Sequence, residues 1–227
     1  SHSNTFIGHG VSDATMADAT SNVGVGSGAF SALTSGDNNV AIGTSSGNAI
    51  TSGGSNVSLG TNTLATATTC LNNTALGHNA MVNVKAGVAV DGCVAIGFES
   101  LYGNSSNTTG INNTIAIGDS ALKSLTTGDG NVAIGYTSGM AINTGQYNTL
   151  LGYEAGLALT TGTSNVFVGW KAGKAQVEAG HCIAIGHNTL SNSTNTSSIE
   201  NIAIGSNSLD AITSGVAEGN VCVGFDT

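Results

Sequence analysis

The sequence predicts an all-β protein: a parallel β-solenoid, or β-roll, of about thirteen 17-residue coils. Three observations lead there. A glycine-anchored phrase recurs at Gly8, Gly26, Gly43, Gly60, Gly77, Gly97, Gly118, Gly135, Gly152, Gly169, Gly186, Gly205 and Gly224, with spacings of 17 to 21 residues. Before each of these glycines, β-branched and aliphatic residues alternate with a period of two, which is strand periodicity. Between phrases stand Thr-Thr-Gly or near copies, as at Thr51-Ser52-Gly53, Thr126-Thr127-Gly128 and Thr160-Thr161-Gly162, whose Gly suits a tight turn. Self-similarity at such a short period means that each unit buries its apolar face only against its neighbours.

The strand comes first in each unit. One residue before the Gly, every unit has Ile, Leu or Val, from Ile7 and Val25 to Ile204 and Val223. Three before it stand Val, Ile or Thr, from Thr5 and Val23 to Ile202 and Val221. These two columns are expected to share a face buried inside the coil, because β-branched residues favour a packed pleated surface. The intervening column is mostly Ala (Ala41, Ala75, Ala95, Ala116, Ala133, Ala184, Ala203) and is expected to point the other way, where small size allows another surface to approach. Four before the Gly, ten of thirteen units have Asn, whose amides can hydrogen-bond from coil to coil when stacked.

After the Gly a small residue stands at the third place (Ala29, Ser46, Thr63, Ala121, Ala155, Ser208), then Leu, Phe, Met or Gly at the fourth. In many units an aliphatic residue follows at the seventh (Leu33, Ile50, Leu125, Ile142, Leu159, Ile212). Each unit therefore reads as two short strands and two turns. At a rise of about 4.8 Å per coil, thirteen coils give a rod on the order of 60 Å long. Ser1-His2-Ser3 reads as a cloning remnant and residues 4–227 as a single repeat domain. The polar segments at residues 102–113 and 191–201 read as loops inserted on the outside.

Composition excludes several functions. Four Lys or Arg against thirteen Asp or Glu give a formal net charge of −9, which lacks the electrostatic footprint of nucleic-acid binding and disfavours an anionic bilayer. No apolar run has the length of a membrane span, so no membrane insertion is expected. The four cysteines lack the paired spacing of a zinc site, and they are too far apart in sequence to read as a disulfide framework. Cys93 and Cys182 take Asn places in their column and Cys222 an Ala place, whereas Cys70 takes a turn-Gly place and is expected to be the most exposed.

The residue directly after the Gly carries the candidate site. It is His78, Phe98, Tyr136, Tyr153, Trp170 and His187 in six units, and His9 and Phe225 in the terminal ones. Stacked coils would bring these rings into a ladder. Such a ladder can serve stability, or it can offer apolar faces to the sugar rings of a receptor. In the next column Glu154 and Lys171 are expected to form a surface ion pair between adjacent coils, worth at most about 1 kcal/mol. The acidic residues sit singly or in turns, as at Asp37, Asp91, Asp129, Glu178 and Glu218, and a pair such as Glu99 and Asp119 lacks an apolar pocket that would keep one protonated. No enzyme activity, metal or cofactor is expected.

Units such as "NVAIGYTSGMAINTGQY" and "DSALKSLTTGDGNVAIGY" resemble the N-T-A-I-G-Y-x-A-L-x-x-x-T-T-G repeats of phage and algal-virus tail fibres, over essentially the whole chain. They are also similar to the S-V-A-I-G repeats in the heads of trimeric autotransporter adhesins, whose period is shorter. The resemblance implies a homotrimer of parallel β-rolls, a segment of a longer fibre in the virion, and a structural or adhesive task with a host-surface glycan or protein as partner. A thin roll also has too little interior for all its apolar columns, which a trimer would cover. An alternative from another class is an ice-binding solenoid, using the recurring Thr/Ser pairs Thr34-Ser35, Thr51-Ser52, Thr126-Thr127, Thr160-Thr161 and Thr213-Ser214.

Overall fold

The structure is a computed structural model in which residues 3–12, 14–103, 110–192, 198–210 and 218–227 are described. Ser1 and His2, residues 104–109 and 193–197 of the two polar insertions, and Ile212 and Thr213-Ser214 lie outside the described residues. The chain forms two compact units, Ser1–Thr114 and Ile115–Thr227. The first carries β1 (Thr5–Ile7), β2 (Val23–Val25), β3 (Val40–Ile42), β4 (Val57–Leu59), β5 (Thr74–Leu76) and β6 (Val94–Ile96). The second carries β7 (Ile115–Ile117), β8 (Val132–Ile134), β9 (Thr149–Leu151), β10 (Val166–Val168), β11 (Ile183–Ile185), β12 (Ile202–Ile204) and β13 (Val221–Val223).

Within each unit the strands pair in parallel in chain order, and the repeat sets the register. Val40 lies beside Val57 and Ile42 beside Leu59; in the second unit Val132 lies beside Thr149 and Ile134 beside Leu151. The described residues contain no helix. The protein is thus an all-β, parallel β-solenoid, as the period predicts.

Among the described residues the second strand expected in each coil does not form. The opposite wall makes, among the described residues, only an isolated bridge, Asn83 to Gly103, while others such as Gly54 to Leu71 stand at the turn that leads into the strand. That wall is interrupted by left-handed residues at the second and fourth places after the Gly, as at Glu154 (φ 54°) and Gly156 (φ 60°), and a strand cannot pass through them. Coil-to-coil hydrogen bonds persist there nonetheless, for example Phe30 N–H to Ser46 O and Thr51 N–H to Thr68 O.

The strand faces are also reversed from expectation. The Ala column is the buried one, with Ala41, Ala75, Ala95, Ala116, Ala133, Ala184 and Ala203 fully enclosed, and the Val, Ile and Leu columns face outward. Ile42 is 39% exposed and Leu151 44%. The reason lies on the opposite wall, where the large side chains Phe30, Leu64, Met81, Leu101, Leu122 and Leu190 at the fourth place after the Gly fill the interior. Opposite such groups the strand has room only for a small residue.

Volume is exchanged between these two columns. Where the strand does bury a large residue, at Leu150 and Phe167, the fourth place reverts to Gly. A Cβ on Gly139 would lie 2.7 Å from Leu150 Cδ1, and one on Gly173 would strike the Phe167 ring. Where the strand is small, Leu can occupy the same left-handed site, as at Leu122 (φ 49°), unless a neighbouring side chain fills the space, as Phe30 does beside Gly47. Left-handed backbone costs such a residue roughly 1–2 kcal/mol, whereas burying Leu gains roughly 1.5–3 kcal/mol, so the buried Leu is tolerated.

The expected Asn ladder is present and buried. In the first unit Asn22, Asn39, Asn56 and Asn73 each donate Nδ2–H to Oδ1 of the preceding Asn at 3.0–3.1 Å. The same amides close their own coil, as Asn39 Nδ2–H does to Gly53 O at 2.8 Å. Cys93 and Cys182 continue the ladder as donors: Cys93 Sγ–H reaches Ile111 O at 3.0 Å and Cys182 Sγ–H reaches Ser198 O at 3.4 Å.

Candidate functional site: an aromatic column and the pocket beside it

The anchor Gly explains why the aromatics align. Its φ lies between 124° and 147° at all thirteen positions, a region open essentially to Gly alone. A Cβ on Gly60 would sit 2.8 Å from Gly77 O of the next coil. The next residue leaves this kink at the same point in every coil, so neighbouring rings are offset by about the 4.8 Å strand spacing, a distance at which rings stack.

The rings do stack. His78 and Phe98 face each other in the first unit at 5.6 Å between centroids and 9° between planes. In the second unit Tyr136–Tyr153 (5.1 Å), Tyr153–Trp170 (6.4 Å) and Trp170–His187 (4.6 Å) form a continuous ladder with interplanar angles of 10–18°. Phe98, Tyr136, Tyr153 and Trp170 are 39–47% exposed.

Stacking determines which part of each ring meets solvent. Tyr153 and Trp170 have a ring against each face, so they present edges. Among the four, only Tyr136 and His187, at the ladder ends, have a face without a stacked ring partner. Face-on contact with a sugar is confined to those ends, and edge contact runs along the whole column.

Charge gathers beside the two inner rings of the ladder. The expected Glu154–Lys171 pair is long, 3.9 Å from Nζ to Oε2, and the closer partner is Lys174 at 2.6 Å. Lys171 Nζ stands 3.9 Å from the centroid of the Trp170 ring, a cation–π contact. The hydrogen bond from Lys174 holds the Glu154 carboxyl below its ordinary range. Loss of solvent in the stack and the Glu154 carboxylate push the Tyr153 phenol up.

Beside Trp170 opens a pocket of about 440 Å³. Leu157, Ala158 and Ala175 form its aliphatic lining; Trp170, Lys171, Lys174, Asn188, Ser191 and Asn192 supply the rest. Of these only Trp170 was singled out as a candidate contact. The sequence signal for the others was the placement of two of the chain's four basic residues, Lys171 and Lys174, directly after its only Trp. Asn188 and Asn192 carried no such signal, because Asn fills many turns of this chain.

Other expected features take different places. Cys70 is fully buried, because its coil packs the turn inward, and burial pushes its thiol up to about 12; Cys222 is the partly exposed cysteine. The Thr hydroxyls at the turns donate to carbonyls of the next coil, from Thr34, Thr51, Thr126 and Thr160 at 2.9–3.1 Å. Among the described residues no three His, Cys, Asp or Glu gather as a metal site, and no helix is long and apolar enough to cross a membrane. The chain matches no family model, no curated protein and no solved structure.

Proposed function

We propose that this chain is a segment of an adhesive fibre, a homotrimer of β-solenoids that gives a virion tail fibre reach and rigidity and touches host-surface glycans through its aromatic column. The carrying observation is the outward strand face. Each unit buries its Ala column by itself and leaves two columns of Val, Ile and Leu in solvent, among them Ile42, Leu59 and Leu76 in the first unit and Leu151, Ile185 and Ile204 in the second. A contiguous aliphatic stripe on a flat parallel strand face is a self-association surface. Three copies, the number that the fibre resemblance implies, would bury it around a common axis.

Light scattering coupled to small-angle X-ray scattering tests this reading. The expected result is an elongated particle of three 22.2-kDa chains, reduced to single chains by Leu151→Glu. A wild-type particle of one compact chain would overturn the trimer. Clear thermal hysteresis in dilute solution would move the conclusion to ice binding instead.

A further inference from the structure

We propose that the pocket beside Trp170 binds a sugar ring that carries a carboxylate, a uronate or sialate unit of a glycan. Its volume, about 440 Å³, lies in the range of small-ligand sites and holds a pyranose with its substituents. One part of the lining is apolar, with Leu157, Ala158, Ala175 and Trp170; the rest carries hydrogen-bonding groups on Asn188, Ser191 and Asn192. That division suits a sugar, which pairs C–H surface with hydroxyls.

Charge selects the acidic class. Among the described residues the lining holds Lys171 and Lys174 and no acid, in a chain that has four basic residues and a net charge of −9. The two nearby carboxylates touch lining groups without lining the pocket themselves. Glu154 pairs with both lysines, and Asp210 accepts from Ser191 Oγ–H at 2.6 Å and Asn192 Nδ2–H at 3.0 Å. They restrain the lining groups in fixed positions, which lowers the ordering cost of binding. A polyphosphate would meet the negative charge of the rest of the chain. A single carboxylate on an otherwise neutral ring needs only the local ammonium groups.

The inference rests on the adhesive reading only in calling the ligand part of a surface glycan. Trp170 is the sole tryptophan, so intrinsic fluorescence reports on this pocket alone. The full chain is titrated with sialyllactose and trigalacturonate, and with lactose and maltotriose as neutral counterparts. The expected result is a saturable Trp170 response to at least one acidic probe, which identifies the source, and none to the neutral ones.

Lys174→Gln is expected to weaken that response about tenfold, the scale of one charge-assisted hydrogen bond, while Lys123→Gln, outside the pocket, leaves it unchanged. A silent Trp170 with both acidic probes, or an equal response to lactose and sialyllactose, overturns the proposal. Glycan binding with a silent Trp170 would sink the pocket and leave the adhesive fibre standing. A monomer with a responsive Trp170 would do the reverse.

Discussion

Replacing Asn148 with Ala tests the claim that a buried amide ladder, and not strand pairing alone, holds the coils together. Asn148 donates Nδ2–H to Asn131 Oδ1 at 3.0 Å and to Gly162 O at 2.8 Å. Its own Oδ1 accepts from Asn165 N–H at 3.1 Å and Asn165 Nδ2–H at 2.9 Å. The substitution removes all four. Asn131 Oδ1 keeps the Asn148 backbone N–H at 3.0 Å, and Asn165 Nδ2 keeps Ala179 O at 2.7 Å. Asn165 N–H and Gly162 O lose the partner they had, in a buried site.

Each such orphan costs about 1–3 kcal/mol, so the expected loss is about 4 kcal/mol. Asn148→Cys should cost less, because Cys93 and Cys182 already occupy this column and donate through sulfur to a carbonyl that closes their own coil. Urea denaturation gives the magnitude, with exposed Asn143→Ala as the reference. Hydrogen exchange at the Asn165 amide gives the location, since long repeat arrays need not unfold in one step. A loss below about 1 kcal/mol, or protection at Asn165 equal to wild type, would refute the reasoning.

Four further outcomes are expected. Gly60→Ala should abolish soluble folded protein, because its Cβ meets Gly77 O at φ 134°, whereas Gly87→Asn, at φ 77° with open space around it, should express normally; yield and circular dichroism separate them. Gly156→Leu should destabilise the fold, because a Cβ there lies 3.0 Å from Leu150 Cδ2, and adding Leu150→Ala should recover about 1 kcal/mol or more as coupling in a double-mutant cycle. In native protein near pH 8 one thiol, Cys222, should react quickly with a disulfide reagent, and all four after denaturation. Because burial raises the Cys70 value from 9.0 to about 12, its stabilising contribution is complete below pH 9 and lost as pH rises toward 12. Glu154 has the opposite sign: its value is lowered, so its contribution is present above 4.5 and lost as pH falls through the lower native value. Urea midpoints of wild type and Lys174→Gln should converge in acid, with a difference at neutral pH of no more than about 1 kcal/mol for a pair at the surface.

The coil, its parallel pairing and its register were legible in the sequence, because each repeats a dozen times and a period survives noise at any one position. The Asn ladder was legible for the same reason, since an amide that recurs at the same place in every coil must meet its own copy. The aromatic column belongs with these. Tertiary structure decided what lies inside. A three-residue strand such as Val132-Ala133-Ile134 is apolar on both faces, so its own pattern does not choose the inward one. The choice follows from the volume on the facing wall, where buried side chains such as Leu122 already fill the interior, so that even a Cβ on Gly139 in the next coil would lie 2.9 Å from Leu122 Cδ2. The same dependence buried Cys70, gave Glu154 to Lys174 ahead of Lys171, and left Trp170 its edge instead of its face, because side-chain direction and free space are set by packing and not by spacing along the chain.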